Sequence, residues 1–393
     1  MFADTAVAGI PLVPSDEEQL LRETVAGIAA RYGHAYFARQ TAAGEPPTAL
    51  WDELAQAGFV GASLPEEHGG GGQGIAALCM VEEELAAAGC PLPMLVISPA
   101  IVGSILARHA DPEQCERWLR PVAEGTARIA FAITEADAGS NSHNVSTVAR
   151  RDGDGYRLRG SKTFISGVED AAAVLVVART ATHERTGRAE LSIFVVDADA
   201  AGLERQHIPT AVQAPERQWQ LFLDDVHVGA DRRIGPEGAG LRALFDGLNP
   251  ERLMGAAMCT GIARYALDKA CAYVREREVW GVPIGTHQGI AHPLAEAKIE
   301  LEAARLVLQR GALLYDAGLD AGEASNMAKF TASEVSLRAL DRSMQAHGGN
   351  GLALEYGLAD LWFVARLLRT APISREMVLN HIAERSLGLP KSY

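Results

Sequence analysis

The hydrophobic pattern of the chain changes character twice, and this change constrains the fold more than any single motif. Apolar residues recur at helical spacing up to about Arg128, short β-branched runs alternate with turn residues after that, and helical spacing returns from about Leu241. We therefore predict an α+β multidomain protein: an N-terminal helical domain over 1–128, a middle antiparallel β-sandwich or barrel over 129–240, and a C-terminal four-helix bundle over 241–393.

Local signals agree with this division. The capping box at 15–18 predicts a helix that continues to about Arg39. Two strand-like runs flank the Asp-Gly-Asp-Gly sequence at 152–155, which predicts a hairpin. One apolar stripe at helical spacing follows in the C-terminal third, and it comprises Ile299, Ala303, Leu306 and Leu313. We expect this stripe to face the core of the bundle.

Composition excludes several classes of function. A formal net charge of −14 argues against nucleic-acid binding. The five cysteines are scattered without a C-x-x-C pair, and the histidines form no H-E-x-x-H, so we expect no disulfide framework and no metal. The sequence contains no apolar run of the ~18 residues that a membrane span needs. Its N-terminus has no basic segment like that of a signal peptide, and we therefore expect a cytoplasmic protein.

A glycine-rich stretch imitates a nucleotide-binding fingerprint. Gly69, Gly71 and Gly74 spell G-x-G-x-x-G, but that motif binds dinucleotides only where a strand precedes it in a βαβ unit. Pro65 and two glutamates stand in place of such a strand. We interpret the stretch as a loop between N-terminal helices.

Four ordered stretches carry the functional signal. A short apolar strand runs into small and hydroxyl residues at 131–142, and 160–167 reads Gly-Ser-Lys-Thr-Phe-Ile-Ser-Gly. An Arg-Glu-Val-Trp-Gly sequence begins at 277, and 345–351 reads Gln-Ala-His-Gly-Gly-Asn-Gly. In this order and spacing the set resembles the acyl-CoA dehydrogenase family of flavoproteins, over nearly the whole chain. The resemblance implies FAD-dependent α,β-dehydrogenation of an acyl thioester of CoA or of an acyl-carrier protein.

The resemblance also implies roles for individual residues. FAD would be contacted by Ile133, Thr134, Phe164, Ser166, Arg277, Trp280, Gln288, Gln345 and Gly349. Ser140 would meet the thioester ligand. In the family, Gln345 and Gly349 bind the adenosine half of a neighbouring subunit's FAD, which implies a homodimer or homotetramer. The family's electron acceptor is an electron-transferring flavoprotein.

Two of these residues have plainer alternatives. Phe164 is also typical of a β-sandwich core. Arg277 stands between Glu276 and Glu278 and could be a solvated charge at a helix end.

The catalytic base needs separate consideration. Many members carry it as a glutamate shortly before the last helix, where this chain has Pro372. Others place it at the start of the first long C-terminal helix, before an arginine, which here gives Glu251 as the base and Arg252 as a contact on the CoA side or a helix anchor. The alternative is an ordinary surface Glu–Arg pair, because the helix dipole favours glutamate in a first turn.

Pro372 also affects the binding of the thioester oxygen. The family uses a backbone N–H at this position, and proline has none, so either Ala371 or Ile373 supplies the donor, or the register of the match slips by one residue, or the oxyanion site is weaker. This departure keeps two alternatives open. One is a flavin oxidase or oxygenase of the same fold acting on a non-thioester substrate, and the other is a non-catalytic subunit that binds flavin.

Overall fold

The first third of the chain is helical. The structure, a computed structural model, describes residues 13–185 and 187–391. Ser15 caps the first helix through the predicted capping box, which is confirmed. The helices are α1 Asp16–Ala43, α2 Thr48–Gln56, α3 Gly74–Ala87, α4 Pro93–Leu95, α5 Ser104–His109, α6 Pro112–Gln114 and α7 Arg120–Ala123. The π-helical turns Val96–Gly103 and Cys115–Leu119 connect α4 to α5 and α6 to α7.

Strands follow and form one sheet of eight. They are β1 Ile129–Ala132, β2 Val148–Asp152, β3 Gly155–Ser166, β4 Ala173–Thr182, β5 Ala189–Asp197, β6 Leu203–Ile208, β7 Gln218–Gly229 and β8 Arg233–Ile234. Their order is β6-β7-β3-β2-β4-β5-β8, with β1 parallel to β4. Asp152 pairs with Gly155, so the predicted hairpin joins β2 to β3.

The sheet has two buried faces. Alternate residues of β4 belong to different cores, because successive side chains of a strand point to opposite faces. Leu175 and Val177 pack with the helical segments before the sheet, including Ile101. Val174 and Val176 pack across the inside of the sheet. Burial on both faces explains why β4 is continuously apolar and does not alternate.

The inner face encloses a core of its own. Its members come from both arms of the curled sheet and include Tyr156, Leu158, Phe194, Leu221 and Val226. This arrangement agrees with the predicted middle β-domain.

The remaining chain is again mostly helical. Its elements are α8 Gly240–Glu276, the short hairpin of β9 Glu278–Val279 and β10 Val282–Pro283, α9 Gln288–Asp316, α10 Gly322–His347, α11 Leu361–Thr370 and α12 Arg375–His381. The long helices α8, α9 and α10 pack on one another, and α11 packs on α10. Among the residues with described positions, no helix combines the length and the apolar character that a membrane span requires. The domain boundaries at 128 and 240 stay a prediction.

The predicted core stripe of α9 is wrong. Ile299 is 71% exposed and Leu306 is 51% exposed. The buried face is offset around the helix and carries Leu301 and Leu308 instead. Since α9 has apolar residues on two faces, spacing alone did not identify the face that packs in the bundle.

Proline does not end α8. Pro250 lies inside the 37-residue helix. Because proline has no N–H, the carbonyl of Asp246 loses its helical partner. The hydroxyl of Tyr315 on α9 donates to this carbonyl over 2.9 Å, so a neighbouring helix satisfies it.

Candidate active site

The loop after β1 lies against the middle of β3. The backbone N–H of Thr163 donates to the carbonyl of Thr134 over 2.9 Å. Lys162 Nζ donates to the carbonyl of Ile133 over 3.0 Å. These contacts bring Ile133 and Thr134 next to the stretch that holds Phe164. Two sequence motifs predicted to contact the flavin are therefore neighbours in the fold.

A buried ion pair holds this loop in place. Glu135 accepts from Lys162 Nζ over 2.8 Å, from Ser146 N over 2.7 Å and from Thr147 N over 3.0 Å. Burial raises the pKa of Glu135, but the ammonium and these hydrogen bonds outweigh it and lower the pKa to about 2. Burial lowers the pKa of Lys162 to about 8 against the pull of Glu135. The sequence places Glu135 and Lys162 within two of the four motifs, but nothing in its pattern pairs them.

Phe164 has an unusual backbone conformation and is not a core residue. Its φ is 56°, and its side chain is 59% exposed. It lies where the register between β3 and β7 shifts, between Lys162 and Ile165. A bulky residue at positive φ costs about 1–3 kcal/mol, and such strain clusters at ligand sites. The alternative that Phe164 belongs to the sandwich core is wrong.

The exposed ring provides the test of whether the chain suits a flavin. More than half of Phe164 is exposed, and a planar aromatic ligand would cover its ring. Ser166 follows on β3, and Gln218 Nε2 donates to its hydroxyl over 2.8 Å, which fixes the hydroxyl in position. The residues at this place therefore suit an isoalloxazine ring.

Ser140 lies further along the same loop. It is exposed, and a Cβ added at its neighbour Gly139 would meet nothing within 4 Å. The loop is open to a ligand at this point. The contact of Ser140 with a thioester stays a prediction.

Glu251 lies in the interior of α8. The helix begins at Gly240, so the expected place at a helix start is wrong, and the first-turn dipole effect does not account for this glutamate. Its side chain retains partial exposure. Burial nevertheless raises its pKa to about 7, while the charges of Arg252 and Lys329 act to lower it. A carboxyl with this pKa is suited to accept a proton near neutral pH.

Arg252 is buried beside Glu251. It is 9% exposed, and its Nη1 donates to Asn249 Oδ1 over 3.0 Å. Burial lowers the pKa of the guanidinium, and the charge of Glu251 opposes this. Whether Arg252 contacts CoA stays a prediction.

The segment between α11 and α12 contains Pro372. The N–H of Ala371 donates to the carbonyl of Leu367 over 2.8 Å and so caps α11. Among residues 13–185 and 187–391, no acceptor takes the N–H of Ile373. Of the two donors considered for the thioester oxygen, only Ile373 has a free N–H.

Three predicted FAD residues lie at the far end of α8. Arg277 follows the last residue of this helix and is exposed. Trp280 and Gly281 turn the β9–β10 hairpin with φ of 54° and 80°, the signs of a type I′ turn, and Trp280 is 89% exposed. Gln288 is the first residue of α9 and is exposed as well.

The end of α10 lies beside the end of α8. The rings of His347 and Tyr273 stack with centroids 4.2 Å apart, and Asn350 Nδ2 donates to the hydroxyl of Tyr273 over 3.1 Å. Gln345 and Gly349 are exposed here, and a Cβ at Gly349 would meet nothing within 4 Å. The predicted adenosine residues therefore gather at the end of the bundle that carries Arg277.

The base and the adenosine residues are far apart within one chain. Glu251 lies about 25 residues before the end of α8, which is about 37 Å along the axis. The structure thus separates the predicted residues into three groups. The flavin-ring set lies on the loop after β1 and on β3, the base lies in the first third of α8, and the adenosine residues lie at the C-terminal end of α8.

Comparisons with known proteins agree with this arrangement. The family model described as acyl-CoA dehydrogenase, N-terminal domain matches residues 15–126, the middle-domain model matches 130–226, and the C-terminal-domain model matches 238–387. Acyl-CoA dehydrogenase FadE12 of Mycobacterium tuberculosis is 51% identical over 383 residues, covering 97% of this chain and 98% of that protein. The caffeyl-CoA reductase-Etf complex subunit CarC of Acetobacterium woodii is 32% identical, covering 80% of this chain and 83% of its own. A glutaryl-coenzyme A dehydrogenase solved with glutaryl-CoA superposes with a TM-score of 0.91 at 29% identity, covering 97% of each chain.

The flavin-ring set and these matches define the class of protein, an FAD-dependent oxidoreductase that acts on CH–CH bonds. The chain belongs to the acyl-CoA dehydrogenase family.

Proposed function

We propose that this protein oxidises the bond between the α and β carbons of an acyl thioester of CoA or of a carrier protein, and that Glu251 takes the α-proton. The observation that carries this proposal is the carboxyl of Glu251, which is placed inside a helix where burial raises its pKa to about 7. A surface glutamate would be ionised at all neutral pH values and would be a weaker base.

The protonation state of Glu251 sets the direction of the pH dependence. Below pH 7 the carboxyl is mostly protonated and cannot accept the α-proton, whereas above pH 7 it is ionised. The rate should therefore rise with pH to a plateau. FAD, when bound, supplies the acceptor for the hydride that leaves the β carbon.

The carbonyl of the thioester must be polarised for the α-proton to become acidic. We assign the N–H of Ile373 to this task, because Pro372 has no N–H and Ala371 uses its own to cap α11. A backbone donor aimed at a developing oxyanion typically contributes about 3 kcal/mol to transition-state stabilisation.

The flavin would be held by the loop after β1 together with β3. Ile133 and Thr134 present backbone and hydroxyl groups, Phe164 offers its exposed ring, and Ser166 offers a hydroxyl that Gln218 holds in position. The buried Glu135–Lys162 pair holds the loop after β1 against β3. Ser140 on the same loop would meet the thioester.

We further propose that the active protein is a homodimer or homotetramer. The adenosine residues Gln345 and Gly349 and the FAD residues Arg277, Trp280 and Gln288 gather about 37 Å along α8 from Glu251. This separation supports an arrangement in which residues of two subunits bind each FAD. The exposed apolar side chains of Ile299 and Leu306 on α9 supply a surface for such assembly.

An electron-transferring flavoprotein is the proposed electron acceptor. The similar CarC protein is named as a subunit of a complex with Etf, which supports this class of partner. The cysteines at 79, 90, 115, 259 and 271 are all free, which supports a reducing compartment and thus the cytoplasm.

One observation favours a second candidate. Pro372 removes the N–H that the family uses for the thioester oxygen, and an oxidase or oxygenase with a non-thioester substrate would not need this donor. The substrate separates the two candidates, because only an enzyme that oxidises thioesters reduces its flavin when an acyl-CoA is added without oxygen.

The experiment is an anaerobic titration of the FAD-loaded protein with a panel of straight, branched and aromatic acyl-CoA thioesters, read as bleaching of the flavin absorbance. Wild type should bleach with at least one thioester, and Glu251→Gln should bleach at least a hundredfold more slowly. Glu376→Gln is the matched control, since that carboxylate is exposed on α12. Bleaching of Glu251→Gln at the wild-type rate would show that the base is another group, and an absence of bleaching with every thioester would favour the oxidase.

A further inference from the structure

A lysine is buried beside the proposed base without a carboxylate to pair with. Lys329 on α10 is 2% exposed. Its Nζ donates to the carbonyl of Arg369 over 3.3 Å and to the carbonyl of Ile373. Among the described residues no acidic side chain lies within ion-pair distance of it. A buried ammonium costs several kcal/mol unless its surroundings compensate, so two neutral carbonyls need a reason to be its partners.

The carbonyl of Ile373 belongs to the segment 371–374 that joins α11 to α12, and the carbonyl of Arg369 lies in the last turn of α11 just before it. The ammonium therefore connects the core of the bundle to this segment. Glu334, five residues further along α10, holds the same segment through side chains, accepting from Arg369 Nε over 2.7 Å and from Arg375 Nε over 3.0 Å. Two charged residues of α10, Lys329 and Glu334, thus hold the connection between α11 and α12.

Ile373 is the residue on which this contact acts most directly. Its carbonyl accepts from Lys329, and its N–H has no acceptor among the described residues. Fixing the carbonyl limits the directions in which this end of the segment can point. The free N–H is the one that we assign to the thioester oxygen.

The charged groups around Lys329 come from the elements packed on it. Glu251, Arg252 and the thiol of Cys259 on α8, together with Glu334 on α10 itself, act electrostatically on Lys329. Burial lowers its pKa to about 8, so it carries its charge at neutral pH. In the opposite direction, Glu251 is acted on by two cations, Arg252 and Lys329.

We propose that Lys329 is a positioning residue for the dehydrogenation: its buried ammonium holds the Ile373 segment so that the free N–H is aimed at the thioester oxygen, and it supplies positive charge that favours the ionised form of Glu251. This inference rests on the proposed function of Glu251 as the base. It assigns to one side chain both the geometry of the oxygen site and the ionisation of the base.

The proposal makes two linked expectations. Without the ammonium, Glu251 loses one of its two cations, so its ionisation should need a higher pH, by roughly one unit. The Ile373 segment should also be held less firmly, and kcat should fall on the order of tenfold or more with little change in KM, since the loss affects the transition state.

The test compares Lys329→Met, Lys329→Arg and Glu334→Gln with wild type. Methionine keeps the length of the side chain and removes the charge, arginine keeps the charge, and Glu334→Gln weakens the grip on the same segment without removing a cation beside Glu251. The pH profile of kcat/KM is measured for each variant. Thermal unfolding without FAD, compared between each variant and its Glu251→Gln double mutant from pH 4.5 to 9, reports the ionisation of Glu251 independently of activity.

The expected result is an acidic limb displaced upward in Lys329→Met and unmoved in Lys329→Arg and Glu334→Gln. A folded Lys329→Met with its limb in the wild-type place, or a shift of equal size in Glu334→Gln, would overturn the proposal. If Lys329→Met does not fold, Lys329→Arg decides, because a displaced limb despite the retained charge refutes the role. Loss of activity in Glu251→Gln without any effect of Lys329 would reject this inference alone, whereas normal activity in Glu251→Gln would reject the proposed base.

Discussion

At the scale of single residues, this protein carries side chains whose placement opposes folding. The carboxyl of Glu251 is held where burial raises its pKa, and Phe164 keeps a positive φ with an exposed ring. Both are costly for the folded state, and both belong to the predicted site. Residues kept at such a cost are those for which function, and not packing, explains the choice of side chain.

The first prediction concerns Glu251→Gln and stability. Burial raises the pKa of Glu251 from 4.5 to about 7 in the folded state. The stability that this group contributes is therefore complete below pH 4.5 and is lost as the pH rises through 7. Since glutamine cannot ionise, the variant should be more stable than wild type at pH 8 by about 2 kcal/mol, after allowance for partial exposure. Thermal unfolding at pH 4.5 and pH 8 measures this difference, and a gain of equal size at both pH values would contradict it.

The second prediction concerns the pair beneath the flavin loop. Lys162→Met leaves the carboxylate of Glu135 buried with two backbone donors and the Ser146 hydroxyl but without its cation, which should destabilise the protein by about 3–5 kcal/mol. Adding Glu135→Gln should restore part of this loss, because the uncompensated charge is then gone. Urea unfolding followed by circular dichroism measures both. A loss below about 1 kcal/mol in Lys162→Met would show that the pair does not support the loop.

At the scale of elements, β3 and α8 each contain an irregular point at the site. In β3 it is the register shift at Phe164. In α8 it is Pro250, directly before Glu251. Proline has no N–H for the carbonyl of Asp246, and the hydroxyl of Tyr315 donates to that carbonyl instead. A regular strand or helix would place neither side chain in the same way.

The third prediction separates strain from packing in β3. Asparagine tolerates positive φ better than phenylalanine, so Phe164→Asn should leave the FAD-free protein as stable as wild type or more stable. Loss of the ring should weaken FAD binding by about tenfold. Equilibrium unfolding of the apoprotein and a fluorescence titration with FAD measure the two effects. A loss of about 3–5 kcal/mol in the apoprotein is the result expected of a core phenylalanine and would oppose our interpretation.

The sequence predicted elements well where local chemistry decides them. The capping box of α1 and the β2–β3 hairpin are confirmed, because a few adjacent residues determine each. The core stripe of α9 and the helix start at Glu251 were wrong. The packing of α9 depends on which of its two apolar faces meets the bundle. The start of α8 depends on Pro250, which the helix tolerates because Tyr315 donates to the carbonyl that the proline leaves without a partner.

The site shows the same division. The resemblance to the family predicts Phe164, Ser166 and Glu251 as site residues, whereas the pairing of Glu135 with Lys162 joins positions 27 residues apart and leaves no periodic signal. The same holds for Lys329, whose partners are backbone carbonyls about 40 residues away and carry no side-chain signature. Contacts between distant segments of this kind were beyond sequence reasoning.

At the scale of the whole molecule, one chain presents the predicted parts of its site far apart along a long helix. Glu251 lies in the first third of α8, and Arg277, Gln345 and Gly349 gather at its C-terminal end. This separation is the main argument for an assembly in which each FAD meets two subunits. It also makes a prediction that does not depend on crystallography.

The fourth prediction is complementation between inactive variants. Glu251→Gln and Arg277→Met should each be inactive or nearly so. After subunit exchange, a mixed dimer contains one site with Glu251 and Arg277 both intact, so activity should return to about a quarter of wild type. The control is each variant taken through the same exchange alone. If one subunit supplied both residues, no mixture would regain activity.

The hairpin after α8 gives the molecule a built-in optical signal. Of the five tryptophans, only Trp280 is nearly fully in contact with water, while Trp51 and Trp118 are buried and Trp219 and Trp362 are half-buried. A soluble quencher such as iodide should therefore quench the fluorescence of Trp280, and not that of the buried tryptophans, in the separated chains. If neighbouring chains cover that indole, dilution below the dissociation constant of the oligomer will make the emission redder and easier to quench, and Trp280→Phe will abolish both changes.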